Sequence, residues 1–343
     1  MQISYQVFHG NLYKAIDEKV EAYFVANNLE KTGNSKLHWF SILVFISLLI
    51  SYFSWLFLGN NVWLNLIFSV LTGFLIGVLG AITHEATHRA FGNKAWQNKL
   101  MLFFSDFIGK SSDKYGQAHA FHHTFTNIDH QDPDIGLEPF LRLSPKQPKK
   151  PWHKFQHLYA WLVYCTAAFY TVFSFHTFNK YFSGHPLKAK IGYWLGKISH
   201  IVFLIFIPIL FLGFQSAILG YIALMVVAGL YISLIIQPSH LFIGSEFISA
   251  NSENKIPEEW TEHMIKVTSN YANGNKLLSL MYAGMDYHIV HQVYPHISMV
   301  HFPQINSIIR EVAIEQGLEY KEFPNLIVAL QNHYQHLKKL GKK

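Results

Sequence analysis

Residues 62–88 have the sequence VWLNLIFSVLTGFLIGVLGAITHEATH, a long apolar run that ends in two histidines four residues apart. About 20 apolar residues, rising about 1.5 Å each, cross the bilayer's hydrocarbon core of about 30 Å. Residues 62–82 therefore predict a membrane-spanning helix, followed at its end by His84 and His88. Because residues i and i+4 share a helical face, both rings could reach one metal ion.

Three further stretches are apolar enough to span a bilayer. They are roughly residues 38–58, 194–213 and 216–236. Only residues 59–61 separate the first pair of spans and only residues 214–215 the second pair, so the sequence predicts two tight helical hairpins. A fifth apolar segment, residues 155–178, is diluted by polar side chains and predicts an interfacial or protein-buried helix.

The composition and the charge distribution agree with a membrane protein. Half of the 343 residues are hydrophobic and only 14% are charged, which excludes a disordered chain. Apart from Lys197, the Lys and Arg residues lie before residue 38, within residues 83–193 or after residue 237. The positive-inside rule therefore predicts cytosolic termini and a cytosolic central loop. The same rule accounts for the net charge of +6, so no nucleic-acid partner is predicted.

The predicted fold is an all-α, multi-pass integral membrane protein. Four transmembrane helices form two hairpins, and a cytosolic helical domain carries the histidine clusters. Residues 1–37 are expected to form a cytosolic amphipathic segment, because Leu12, Ile16 and Val20 recur at helical spacing. Its apolar face would lie on the membrane surface or against the main body, which comprises residues 38–343.

Histidine is unusually frequent, with 21 residues, as many as Asp and Glu together. Three clusters and one further residue lie on the predicted cytosolic side: His84 and His88; His119, His122 and His123; His288 and His291, followed by His296; and His240. Imidazole suits zinc, copper and iron alike. Eight or nine imidazoles are too many for one ion and about right for two. The sequence therefore predicts a dinuclear metal centre, with no catalytic residue outside it.

The ordered clusters resemble the histidine boxes of membrane-bound fatty acid desaturases, nearest the front-end or linoleoyl-CoA type. That family has an H-x3-4-H box, an H-x2-H-H box and a Q/H-x2-H-H box, in this order. The similarity covers nearly the whole chain and includes residues 106–109, 122–127, 132–135, 141–145, 156–161 and 294–297.

The resemblance implies an O2-dependent di-iron enzyme that introduces a double bond into an acyl chain, with an acyl-CoA or a membrane lipid as the substrate. It implies a separate electron donor of the ferredoxin or cytochrome b5 type. The histidines that match box or accessory ligand positions are His84, His88, His119, His122, His123, His240, His288 and His291.

The third box departs from the family pattern. It ends in His291 and Gln292, where the family has two histidines, and it begins with His288, where many front-end relatives have Gln. We expect the exchange to preserve one imidazole, with Gln292 orienting a ligand or a water molecule. The rival hypothesis is that one iron loses a ligand and the activity is altered or lost.

Other residues have candidate supporting roles. Asp132 and Asp134 could hold metal-bound histidines in place, or could simply form a turn around Pro133. Gln292 and His296 are further candidate ligands. A basic run could bind the phosphates of CoA or of a lipid head group, although it also satisfies the positive-inside rule. It consists of Arg142, Lys146, Lys149 and Lys150.

Three alternative functions remain open. An acyl hydroxylase or acetylenase of the same superfamily would use the same boxes. An intramembrane zinc metalloprotease could be built on His84, Glu85 and His88, but it needs a third ligand from another span, and the spans offer none. A metal transporter should show ionisable residues in its spans, which are almost free of them.

Overall fold

The computed structural model describes residues 3–272 and 274–342, and leaves the side chain of His176 undescribed. The described residues are mostly helical. Two short strands, β1 (Ser4–Val7) and β2 (Lys255–Glu259), pair in parallel. This pair corrects the all-α prediction, since β1 precedes the first helix and no helical periodicity marks it.

The helices are named in chain order. They are α1 Asn11–Asn27, α2 Ser35–Leu58, α3 Val62–Thr87, α4 Ala95–Phe107, α5 Ser112–Phe125, α6 Gln156–Cys165, α7 Ala167–Phe173, α8 Phe178–Phe182, α9 Leu187–Ile201, α10 Ile207–His240, α11 Trp260–Val267, α12 Lys276–Met281, α13 His288–Val293, α14 Phe302–Glu315 and α15 Leu326–Lys342. Short 3-10 turns lie between several of them, and a π-helical segment, Val202–Phe206, joins α9 to α10.

Three helical segments in the described residues are long and apolar enough to cross a membrane. Two are α2, with 24 residues, and α3, with 26 residues. The third is the continuous run Leu187–His240, with 54 residues. The sequence predicted two separate spans here, and the run does contain a non-helical residue, Gly213, with φ 73° and ψ 164°.

The segment 155–178 does not form the single helix predicted from the sequence. It is divided among α6, α7 and the turn Phe175–Thr177 before α8 begins. Thr166 lies between α6 and α7, and Ser174 ends α7 with φ −75° and ψ 56°, outside the helical region.

The described chain divides into two compact units. The first comprises Met1–Gly33, Ala118–Ala160 and Ile235–Lys343. In it, α1 buries the predicted stripe of Leu12, Ile16, Val20 and Phe24 and packs against α14 and α11. The polar side of α1 also contacts α14, through an ion pair in which Lys19 Nζ lies 2.7 Å from Glu311 Oε1. Of the two placements considered for α1, the structure therefore has it against the protein.

The second unit comprises Asn34–Gln117 and Trp161–Leu234. Here α2 and α3 pack against each other. Asn61 begins α3, because its side-chain oxygen accepts hydrogen bonds from the amides of Trp63 and Leu64, at 3.0 and 3.2 Å. The connection between the helices is thereby fixed at residues 59–61, as the sequence predicted.

A buried asparagine ties this connection to the later helices of the same unit. The Asn65 amide donates to the carbonyls of Gly59 and Ser216, at 3.1 and 2.8 Å, and accepts from the Trp55 indole at 3.2 Å. Trp55 belongs to an apolar core that includes Leu204, Tyr221 and Leu224. The Gly59 turn and the chain just beyond the Gly213 break therefore lie side by side.

Candidate metal centre

Helix α5 positions the second histidine cluster. His119, His122 and His123 are buried on it, and the 3- and 4-residue spacings bring their rings to one side. The Nε2 atoms of His119 and His123 are 2.9 Å apart. From the short helix α13, His291 joins them, with its ring centroid 4.7 Å from that of His123. Each of these three side chains offers a nitrogen within 4.8 Å of the others.

A second group of three buried histidines lies in the same unit. It consists of His122 from α5, His240 from the end of α10 and His288 from the start of α13, again with ligand nitrogens within 4.8 Å of one another. The Nε2 atoms of His240 and His288 are 2.9 Å apart. The ring centroids of His288 and His291 are 5.4 Å apart, so the two groups are neighbours.

Asp132 holds His122 in its orientation. His122 Nδ1 donates to Asp132 Oδ1 at 3.0 Å, which leaves Nε2 directed at the cluster. The Asp132 carboxylate also accepts from the amides of Asn127 and Asp134, at 2.8 and 2.9 Å. Asp132 begins the 3-10 turn at Pro133 and also hydrogen-bonds a cluster histidine, so the two roles considered from the sequence are compatible.

The electrostatics of the second group are mixed. Burial lowers the pKa of His122, but the carboxylates of Asp132 and Asp134 outweigh it and raise the pKa to about 9. Burial and the charge of His122 lower the pKa of His288 to about 3. The two carboxylates therefore favour a proton on His122, whereas burial disfavours one on His288. A bound metal ion would displace the proton that is favoured on His122.

The donor set fits a metal ion. Buried polar groups need partners, and one ring nitrogen from each of His122, His240 and His288 lies within 4.8 Å of the other two, where a metal ion would satisfy all three. Three imidazoles around one point, with one ring held by a carboxylate on its far side, is the arrangement that protein ligands give a transition metal. Nitrogens of His119, His123 and His291 likewise lie within 4.8 Å of one another.

Sequence reasoning missed residues that hold the loops around the cluster. Asn127 lies two residues after the end of α5, in the left-handed region with φ 57°, and its side-chain amide donates to the His240 carbonyl at 3.0 Å. Asn270 accepts from the amide of Ile289 at 2.9 Å, which fixes the start of α13. Asn127 belongs to the run 122–127 that resembles the desaturase family, although the sequence assigned it no role. Nothing in the local sequence singles out Asn270.

The first cluster lies in the other unit, at the end of α3. The ring centroids of His84 and His88 are 5.0 Å apart, and both side chains offer a nitrogen within 4.8 Å of each other. His84 is buried and lies in the last turn of the helix, while His88 caps it with φ −91° and ψ 4°. The predicted pairing of the two rings is therefore present within this unit.

Two sequence candidates have other surroundings. His296 is exposed and is in none of the metal-competent groups found among the described residues. Arg142 is buried, and its guanidinium donates to the carbonyls of Gln147, Leu340 and Pro145. A head group would have to displace these bonds, so Arg142 acts as a tie between loops. The remaining members of the basic run are exposed; they are Lys146, Lys149 and Lys150.

The second unit also contains an apolar cavity of about 260 Å³. Its walls include Leu48 and Tyr52 from α2, Thr72 from α3 and Phe104 and Phe107 from α4. With almost no polar lining, this cavity suits a hydrocarbon chain rather than a polar ligand.

Comparisons with known proteins agree with the resemblance seen in the boxes. The sequence model described as "Fatty acid desaturase" matches residues 61–324. The chain is 26% identical to an sn-1 linoleoyl-lipid 6-desaturase of Arthrospira platensis, over 96% of this chain and 92% of the relative. It is 27% identical to the protein of the same name from Synechocystis sp., over 96% and 95%. An acyl-lipid (8-3)-desaturase of Physcomitrium patens is 26% identical, over 96% and 72%.

Proposed function

The chain belongs to the fatty acid desaturase family and is an oxidoreductase acting on fatty acyl chains, and on that premise we propose that it desaturates the acyl chains of membrane lipids at a histidine-ligated di-iron centre. The observation that carries the metal proposal is the pair of neighbouring three-histidine groups in one compact unit. The family assignment favours this function over the intramembrane zinc protease.

The proposed iron ligands are those that the sequence predicted: His84, His88, His119, His122, His123, His240, His288 and His291. When bound, the irons would supply O2 activation, which protein side chains cannot perform. The residues around them bind, orient and exclude water. Asp132 orients His122, and the burial of the rings keeps water away from the reacting chain.

The proposed substrate is an acyl chain on a lipid rather than on CoA. The names of the Arthrospira and Synechocystis relatives specify lipid-linked substrates, which supports this choice. The apolar cavity in the second unit supports a role for that unit in accepting hydrocarbon. We assign head-group contact to Lys146, Lys149 and Lys150, which are exposed.

We also propose four membrane crossings, with both termini and the metal centre in the cytosol. A helical run of 54 residues, at about 1.5 Å each, is far longer than one crossing requires. The non-helical Gly213 offers a reversal point, and Asn65 connects the chain just beyond it to the α2–α3 turn. The electron donor would be a separate ferredoxin or cytochrome b5.

Expression in a host that lacks polyunsaturated lipids tests this function. Together with an electron donor, the chain should produce a new double bond in the lipid fraction, detected by gas chromatography and mass spectrometry. A matched His123→Ala variant should produce none. A new hydroxyl or triple bond would instead favour the hydroxylase or acetylenase. Unchanged lipids, with the protein present in the membrane, would contradict the proposal.

A further inference from the structure

Gln292 occupies a fully buried position against the second histidine group. It follows His288 by one helical turn on α13, so both side chains project from the same face. Its amide nitrogen is 2.9 Å from Nε2 of His122 and 3.3 Å from Nε2 of His240. The other end of the amide, Oε1, is 3.5 Å from the Thr126 hydroxyl. Gln292 therefore touches two of the three imidazoles at the nitrogens that face the cluster.

The Gln292 side-chain amide can place either its nitrogen or its oxygen beside His122 and His240. The oxygen and nitrogen ends of a glutamine amide have nearly the same shape, so a half-turn of the amide plane exchanges them. The Thr126 hydroxyl, which can donate or accept, suits either end. After the half-turn, Oε1 lies where the amide nitrogen now sits, beside His122 and His240. A glutamine carbonyl oxygen there is a competent metal ligand, whereas the nitrogen is only a donor.

From this geometry we propose that Gln292 is itself a metal ligand: its carbonyl oxygen completes the group of His122, His240 and His288. The inference rests on the proposed metal centre and deepens it. One ion would then have three imidazole nitrogens and an amide oxygen from this unit, while the other has the imidazoles of His119, His123 and His291. The five proposed iron ligands outside this group are all imidazoles, and imidazole binds divalent iron and cobalt more strongly than a neutral amide does, so we expect the Gln292 site to be the weaker of the two.

The exchange of His and Gln in the third box then has a structural reading. The two positions, 288 and 292, are one turn apart and face the same ion, so each can carry either ligand type. His288 supplies the imidazole, and Gln292 supplies the oxygen. Compared with the family pattern, this ion keeps the same number of ligands and the same ligand types. Only the helix position that carries the imidazole differs.

A cobalt titration of the detergent-solubilised full chain tests the proposal. After metal removal with a chelator, Co²⁺ binding is followed by its visible absorption and by metal analysis, in wild type, Gln292→Leu, Gln292→Glu and Gln292→His. We expect two binding phases in wild type. Gln292→Leu should weaken only the weaker phase, by at least about tenfold. Gln292→Glu keeps an oxygen at this position and Gln292→His adds a nitrogen, so both should bind Co²⁺ in this phase at least as tightly as wild type.

Two outcomes overturn different claims. If Gln292→Leu and wild type have the same two affinities, Gln292 is not a ligand, and the desaturase proposal is untouched. If wild type binds no Co²⁺ in either phase, the proposed metal centre fails, and the ligand proposal fails with it. Should Gln292→Leu not fold, the Gln292→Glu variant decides, because a loss of the weaker phase there contradicts an oxygen ligand.

Discussion

His122 Nδ1 donates a hydrogen bond to Asp132 Oδ1 across 3.0 Å, and both side chains are almost completely buried. The carboxylate is fixed in turn by two backbone amides, those of Asn127 and Asp134. This chain of contacts determines which ring nitrogen of His122 faces the cluster. A carboxylate behind a metal-bound imidazole also increases its basicity.

Asp132→Asn should therefore lower the metal affinity of the group formed by His122, His240 and His288 by about 10- to 100-fold. The asparagine keeps the shape but removes the charge, and its NH2 group must face a backbone donor. Iron per chain after purification and dialysis measures the effect. Asp134→Asn is the matched control, because Asp134 lies 3.5 Å from His122 and is 42% exposed. Equal iron retention in the two variants would show that Asp132 has no special role.

Exchanging the two ends of the third box should be tolerated better than changing one end. His288→Gln removes one of the three imidazoles of the group formed by His122, His240 and His288, and should leave about one ion per chain. The double variant His288→Gln/Gln292→His returns an imidazole one turn away and restores the family pattern, so metal content should recover. Metal analysis of the three proteins is the readout. A double variant no better than the single one would mean that positions 288 and 292 do not face the same ion.

Asn65→Leu should destabilise the second unit by about 2 kcal/mol, because it leaves the Trp55 indole and the carbonyls of Gly59 and Ser216 without their partner. Thermal unfolding in detergent, followed by circular dichroism, measures this loss. The control is Asn60→Leu, at an exposed position in the same connection. If both variants melt at the wild-type temperature, the Asn65 hydrogen bonds do not stabilise the packing of these helices.

The free energy of unfolding should decrease as the pH falls below about 6.5, and protonation of His333 should contribute to this decrease. Burial lowers the pKa of His333 to about 4, despite a hydrogen bond between Nδ1 and the Leu241 carbonyl. Between these two pH values, the unfolded chain binds a proton that the folded chain does not. The free energy of unfolding therefore decreases as the pH falls through this range, by at most about 1.4 kcal/mol per pH unit. Above pH 6.5 this residue makes no such contribution.

The His333→Asn variant checks the assignment. Asparagine retains a donor for the Leu241 carbonyl but does not titrate, so melting temperatures between pH 4.5 and 8 should depend less on pH than in wild type. Some slope should remain, because burial also lowers the pKa of His336, to about 3. Parallel curves for wild type and variant would assign the acid sensitivity to other groups.

The long-period patterns of the sequence predicted much of the fold. Apolar runs of bilayer length became α2 and α3, and the stripe on α1 became its buried face. Local periodicity could not predict that the chain stays helical at Pro208. The π-helical segment Val202–Phe206 lies just before this proline, and its wider hydrogen-bonding pattern accommodates a residue that lacks a backbone N–H. Nor could local periodicity predict β1, whose strand partner β2 is about 250 residues away in the chain.

The candidate site was predictable only in part. Spacing alone placed His119, His122 and His123 on one face, because an i, i+3, i+4 pattern is a local property of a helix. Which nitrogen of His122 faces the cluster depends on Asp132, ten residues later, and the start of α13 depends on Asn270. These are tertiary contacts, so no local pattern reveals them. Arg142 looked like a head-group ligand because sequence shows charge but not burial.

The most direct measurement is the identity and number of the metal ions in protein purified anaerobically from cells whose lipids have gained a double bond. Inductively coupled plasma mass spectrometry should find about two iron ions per chain, a stoichiometry that two three-histidine groups would support. Iron should fall to about one ion per chain in His123→Ala, because His123 belongs to only one of the two groups. Zinc in place of iron, or no more than one ion per chain in the active protein, would contradict the di-iron centre.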